Sequence, residues 1–203
     1  MGSMKVKEAK QITGSMTRTS KMPGLSYSLP AWECKTGAKL AKVPGSVCAG
    51  CYAMKGNYTR HPAIKAAQYV RLKAITDPRW VQAMVAQIKN QKYFRWHDAG
   101  DIQSEEHLLK IFEVCKLTPK TKHWIPTREA QFLKLVSPEE VPDNLIIRMS
   151  SHMVDQSPVT FWPWTSTVRK GSGTCPAPKQ SGKCGSCRSC WDRKIPNVEY
   201  AKH

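Results

Sequence analysis

The sequence predicts an α/β fold: a parallel sheet with its working residues along one edge, followed by a cysteine-rich, irregular C-terminal extension. Three observations lead there. Strand-like and helix-like segments alternate between residues 24 and 168, the pattern of a parallel sheet joined by crossover helices. Three successive predicted strands end in polar groups, namely His97/Asp98/Asp101, Thr127/Arg128 and Ser150/Ser151/His152, and in parallel sheets functional residues gather past the carboxyl ends of strands. Seven of the eight cysteines fall into two groups. The chain divides into a basic N-terminal arm (1–23), an α/β core (24–168) and the extension (169–203). Met1-Gly2-Ser3-Met4 at its head reads as an expression scar.

The elements follow in order. Gly24–Pro30 alternates apolar and polar residues and reads as a strand stopped by Pro30. Thirty residues rich in Gly, Pro, Ser and Lys follow as a loop holding the first cysteines. Pro62 to Thr76 has helical spacing with proline suited to the first turn. Asp77 caps a second helix that places Trp80, Met84, Val85 and Ile88 on one face. Tyr93–His97 is a strand, and Ser104 with Glu105 and Glu106 opens a helix to about Leu117. The strand Lys122–Pro126 leads through Thr127-Arg128 into a helix reaching about Val136. Leu145–Met149 is the fourth strand, and Val159–Trp162 a last extended piece before the cysteine-rich end.

The C-terminal cysteines are Cys175, Cys184, Cys187 and Cys190. Successive C-x2-C steps present three thiols from one loop, and Cys175 can close the set. Zinc sites usually bring two ligands from each of two loops. Three ligands at successive x2 spacing with a distant fourth resemble the run that wraps an iron–sulfur cube. The first group, Cys34, Cys48 and Cys51, offers three thiols and leaves one metal corner open, the arrangement of a site that does chemistry. Whether the two groups share a metal is open at the level of sequence. Cys115 falls on the apolar face of the 104–117 helix and reads as core.

Of 203 residues, 40 % are hydrophobic and 23 % charged, which excludes wholesale disorder. No apolar run reaches the ~18–20 residues of a membrane span. With no secretory signal, a disulfide framework is not expected, and the protein is read as cytoplasmic with no membrane partner. The 32 Lys+Arg against 15 Asp+Glu give +17, with the excess at the two ends. Such flanks suit a nucleic acid or other polyanion. The alternative function is therefore a zinc-stabilised nucleic-acid binder, with Lys179, Lys183, Arg188, Arg193 and Lys194 beside Trp191 and Tyr200. No phosphate-binding G-x-x-x-x-G-K-[ST] and no H-E-x-x-H is present.

Ser28-Leu29-Pro30, Trp32, Cys34, the C-x2-C-Y at 48–52, Gly100-Asp101, Thr127-Arg128 and the run 182–192 together resemble a phage-encoded family, gene product 88. The likeness spans roughly residues 25–192. More distantly, the order strand, three-cysteine loop, helix, strand, glycine-acid motif resembles radical S-adenosylmethionine enzymes. That resemblance implies a partial (β/α) barrel and one or two [4Fe–4S] clusters held by Cys34, Cys48, Cys51, Cys175, Cys184, Cys187 and Cys190. It also implies S-adenosylmethionine as a cofactor near Gly100, Asp101, Thr127, Arg128 and Ser150, and an electron donor as partner. Candidate catalytic residues are Asp101, Arg128 and His97, and an enzyme activity is left undecided.

Overall fold

A computed structural model describes residues 4–202. Residues 1–3 of the expected scar lie outside them. Met4 packs with Ile12 against Ala9, Ala83 and Ala86, so it is part of the folded chain. The N-terminal arm contains helix α1 (Val6–Thr13), whose small Ala9 meets Ala83 and Ala86 and permits a close helix–helix approach.

The remaining elements are β1 (Leu25–Tyr27), α2 (Lys35–Leu40), α3 (Asn57–Arg60), α4 (Pro62–Ala74), α5 (Trp80–Ile88), β2 (Tyr93–Trp96), α6 (Glu105–Leu117), β3 (Lys122–Thr127), α7 (Ala130–Leu133), β4 (Leu145–Ser150), β5 (Thr165–Arg169) and β6 (Asn197–Ala201). Proline opens α4 as its sequence suggests. Ser104 caps α6 by accepting from the His107 N–H at 3.1 Å. Asp77 accepts from the Arg79 N–H at 2.8 Å ahead of α5.

All six strands are parallel, in the order β1-β2-β3-β4-β5-β6. Two strands are additions to the sequence reading. Residues 159–162 are not a strand; β5 begins at Thr165, and β6 follows the cysteine-rich segment. Both are short and partly polar, so their alternation is weak. The helix expected to reach Val136 is a single turn, Ala130–Leu133, because Glu129 ahead of it is drawn into a buried hydrogen-bond set described below.

Alternation assigns the two sheet faces. Tyr27, Phe94, Trp96, Ile125, Leu145, Ile147 and Met149 point to one side and form the main core with Trp80, Met84 and Ile88 of α5 and Leu108, Ile111, Phe112 and Cys115 of α6. Cys115 is fully buried there. Trp124 and Ile146 point the other way and pack against Trp191, with Tyr93, Cys190 and Tyr200 beside them. The segment joining β5 to β6 therefore covers the sheet face opposite α5 and α6. The cysteine-rich end is a structural layer, not an appendage, and it returns the chain to the sheet as β6.

Candidate functional site

Cys34 lies after a single 3-10 turn (Ala31–Glu33) and precedes α2. Pro30, which stops the β1 segment, opens that turn. Cys48 and Cys51 bracket a tight turn in which the Cys51 N–H donates to the Cys48 carbonyl at 3.1 Å. The two parts meet at Gly37 on α2. A methyl group placed on Gly37 would stand 3.6 Å from the Cys34 sulfur and 3.6 Å from the Cys48 sulfur, so these sulfurs bracket one small space.

Cys34 feels the charges of Asp101, Glu129, Cys51 and Cys48, and burial with those acidic neighbours pushes its thiol far up. Burial likewise raises Cys48, while the Arg128 guanidinium pulls it down. Three thiols, two carboxylates and one guanidinium thus converge at the carboxyl ends of β1, β2 and β3. Without a cation, burial favours the neutral form of Cys34 and Cys48. A bound metal reverses that, because a coordinating thiol is deprotonated outright.

Among the predicted residues, Asp101 is 6 % exposed and its carboxylate is engaged. Oδ1 accepts from the Ile102 N–H at 2.8 Å and Oδ2 from the Arg128 N–H at 2.9 Å. Burial raises its pKa to about 6 against those bonds. Asp101 ties the loop after β2 to the loop after β3. Gly100 has φ +81, and a Cβ there would lie 2.5 Å from Leu29 Cβ. That glycine is required by close approach of two chain segments, where the Leu29 N–H donates to the Ala99 carbonyl at 2.8 Å.

The Thr127 hydroxyl accepts from the Glu129 N–H at 3.0 Å. Ser150 and Ser166 share a hydroxyl bond of 2.8 Å that links β4 to β5. Arg128 is different: its Nε is buried and has no partner among the described residues. His97 turns away from the expected role. Its backbone sits at φ +56, and its ring packs 5.3 Å from the ring of His107 on α6. Burial lowers its pKa well below the ordinary value, with His107 and Arg95 adding to the effect. His123 lies on the helix side of β3, bonded to Thr118 at 2.8 Å. His152 reaches only the Arg128 carbonyl, at 3.4 Å.

Sequence reasoning passed over Glu129, which is fully buried. Its Oε1 accepts from the Thr36 N–H at 2.8 Å and its Oε2 from the Thr36 hydroxyl at 2.7 Å. It therefore fastens the start of α2, two residues past Cys34, to the end of β3. Glu129 sits in a polar stretch beside Arg128, where nothing local distinguishes it. The Asp98 region is similar: Tyr58 donates to Asp98 Oδ2 at 2.8 Å, and Tyr52, next to Cys51, donates to the Asp98 carbonyl.

The C-terminal cysteines converge separately. Cys184 feels Cys175 and Cys187, and Cys190 feels Cys175. The Cys175 N–H donates to the Glu199 carbonyl and the Cys184 N–H to the Lys21 carbonyl, each at 2.9 Å. The cysteine neighbours of Cys34, Cys48, Cys184 and Cys190 all belong to their own group, so the thiols gather as two sets.

Arg148, also outside the predicted set, is fully buried on β4. It donates to the carbonyls of Thr165, Ser189, Cys190, Asp192 and Ile195 at 2.7–3.2 Å, and among the described residues no carboxylate forms a salt bridge with it. Arg95 projects from the same face, 4.6 Å from the ring of Trp124, and its Nε is without a partner among the described residues. Two cations thus face the second cysteine group.

By donor type the thiols are soft ligands in two sets, with an unpartnered Arg128 Nε beside the first and two arginines facing the second. Among the described residues, no three His, Cys, Asp or Glu side chains are closed around one point as a single-ion site requires, so the fit to a metal group rests on composition and placement rather than on ligand distances.

The family model described as gene product 88 matches residues 3–160. The match takes in the N-terminal helix and the first thiol group and ends before Cys175, whereas the likeness read from sequence reached residue 192. No curated protein and no solved structure matches the chain.

Proposed function

The chain belongs to the gene product 88 family of phage proteins, and from that premise we propose that it is an iron–sulfur protein with two metal centres on a parallel α/β scaffold. Cys34, Cys48 and Cys51 hold a [4Fe–4S] cluster with one iron open to a small ligand, and Cys175, Cys184, Cys187 and Cys190 hold a second. The observation that carries this reading is the gathering of three thiols at the carboxyl edge of the sheet beside Asp101, Arg128 and Glu129, with no fourth thiol among the described neighbours.

A three-thiolate cluster with an open iron supplies one-electron reduction to a ligand such as S-adenosylmethionine. Of the residues named from sequence around this site, Arg128 is the one whose guanidinium keeps an unmade hydrogen bond, and it binds the ligand's carboxylate. Asp101 and Gly100 position the loop that presents Arg128. At the second site, the thiolates of a metal centre offset the charges of Arg95 and Arg148, which otherwise face backbone carbonyls and an aromatic ring. Turnover requires an electron donor.

The test is anaerobic purification with quantification of iron, acid-labile sulfide and zinc. Two clusters give about eight iron and eight sulfide per chain, falling by half in Cys48→Ala/Cys51→Ala and by half in Cys184→Ala/Cys187→Ala. Cleavage of S-adenosylmethionine by the reduced protein is the next assay, with Arg128→Ala expected to weaken ligand binding while leaving iron content intact. Zinc without sulfide overturns the proposal in favour of a zinc-stabilised binder.

A further inference from the structure

We propose that a basic groove at the amino-terminal end of β1 and β2, walled in part by the second cysteine loop and away from the first thiol group, binds the phosphodiester backbone of single-stranded nucleic acid. The groove has a volume of about 550 Å³ and is lined by Arg18, Gly24, Lys92, Tyr93, Ser186 and Arg188, with no acidic side chain among the described residues of its wall. Arg18 and Lys92 are exposed. Among the described residues, neither these nor Arg188 forms a salt bridge. The Arg188 guanidinium carbon lies 5.0 Å from the centre of the Tyr93 ring and the Lys92 ammonium 5.9 Å from it. Lys122, exposed, pairs with Tyr93 in register across the sheet and extends the basic strip.

Three cations lining one groove with no carboxylate repel one another, and an anion removes that repulsion. The ligand class follows from the mixture. Phosphates of a strand find the three cations, while the partly exposed Tyr93 ring beside the Arg188 guanidinium offers an aromatic contact for a base, the kind of pairing that single-strand binders use. The groove holds a nucleotide or two, not the width of a duplex. Tyr93 opens β2 and Asp98 follows its far end, so at ~3.3 Å per residue the groove lies about 16 Å along the strand from the Asp98 loop. Ser186 and Arg188 come from the second cysteine loop, so that loop builds one wall. Arg18 and Lys92 lie outside that loop, so substitutions at these two positions read nucleic-acid binding separately from iron content.

The experiment is fluorescence anisotropy of a labelled 12-nucleotide single strand, DNA and RNA, with a duplex of the same sequence, across a salt series. Arg18→Glu/Lys92→Glu changes two exposed side chains and should leave iron content and melting temperature unchanged. It is expected to weaken single-strand binding at least tenfold and to flatten the log–log salt dependence by about 0.7 for each phosphate that is no longer neutralised. Arg188→Gln should weaken binding as well, and Lys73→Glu on α4 should bind as the wild type does. Wild-type-like binding by Arg18→Glu/Lys92→Glu, equal or tighter binding of the duplex, or no binding by the wild type each overturns the proposal.

Discussion

Single residues hold the first site in shape, and two of them allow direct tests. Gly100 combines φ +81 with a Cβ position 2.5 Å from Leu29 Cβ and 2.8 Å from the Leu29 carbonyl oxygen. Gly100→Ala meets both a backbone penalty of about 1–2 kcal/mol and a clash with backbone that cannot swing aside. The expected loss is about 3 kcal/mol or more, read by denaturant unfolding, accompanied by lower iron content because the Asp101 loop shifts. His107 and His123 are buried neutral, each with its pKa lowered to about 3 by burial. Their folded values lie below the unfolded value of ~6.5, so their contribution is complete above pH ~6.5 and is lost as pH falls towards 3. Each histidine adds up to ~1.4 kcal/mol of lost stability per pH unit across that window. Stability measured from pH 7 to 5 should fall steeply, and His123→Gln should flatten the slope; an unchanged slope would show that His123 already takes up its proton in the folded protein over this range. The meeting of Cys48 and Cys51 was legible in the sequence because a C-x2-C step puts two thiols on one tight turn. Glu129 and Arg148 were not, because their importance comes from burial against partners 93 and about 42 positions away.

Among the elements, the β5–β6 connection decides what happens to the second face of the sheet. Trp191 packs on Trp124 and Ile146 and donates to the Phe94 carbonyl at 3.1 Å. Arg148 then pins the same segment through carbonyls of residues 189, 190, 192 and 195. Arg148→Met keeps the volume but leaves those carbonyls without their donor inside the protein. At 1–3 kcal/mol for each buried group left unsatisfied, partly relieved by relaxation, the loss should be about 3–5 kcal/mol by denaturant unfolding. Ending the chain at residue 169 removes β6 and bares Trp124 and Ile146, so that variant should aggregate or bind a hydrophobic dye strongly. A monomeric, dye-silent truncation would show that residues 170–203 are a dispensable appendage. Four strands could be read from sequence because two-sided burial gives β-rich runs such as Leu145–Met149. β5 and β6 escaped because Thr165–Arg169 and Asn197–Ala201 gain their strand character from pairing with each other and from the sheet edge.

The whole molecule combines two thiol sites and a basic groove on one parallel sheet, and their independence can be checked by removing metal. The second group lies in a segment with little regular structure, only short 3-10 turns at Ala177–Gln180 and Ser189–Trp191. On the proposed reading, such a segment depends on its metal for order. Anaerobic chelation should leave the helical signal of α4, α5 and α6 largely in place while making residues 170–190 sensitive to limited proteolysis. Equal protease resistance with and without metal would argue that hydrogen bonds from Arg148 and the packing of Trp191 suffice.

From sequence alone came the parallel α/β class, four strands, the boundaries of the long helices and both cysteine groups, because these depend on short-range periodicity, caps and ligand spacing. The tertiary structure decided the order of six strands, the separation of the thiols into two sets, the engagement of Asp101, Gly100 and Ser150 in the scaffold, and the opening left to Arg128. It also placed Arg18, Lys92 and Arg188, which are far apart in the chain, along one groove with Tyr93. The reason is physical: spacing along the chain limits which residues are able to meet locally, whereas burial and the pairing of distant polar groups are settled only when the sheet closes and its second face is covered.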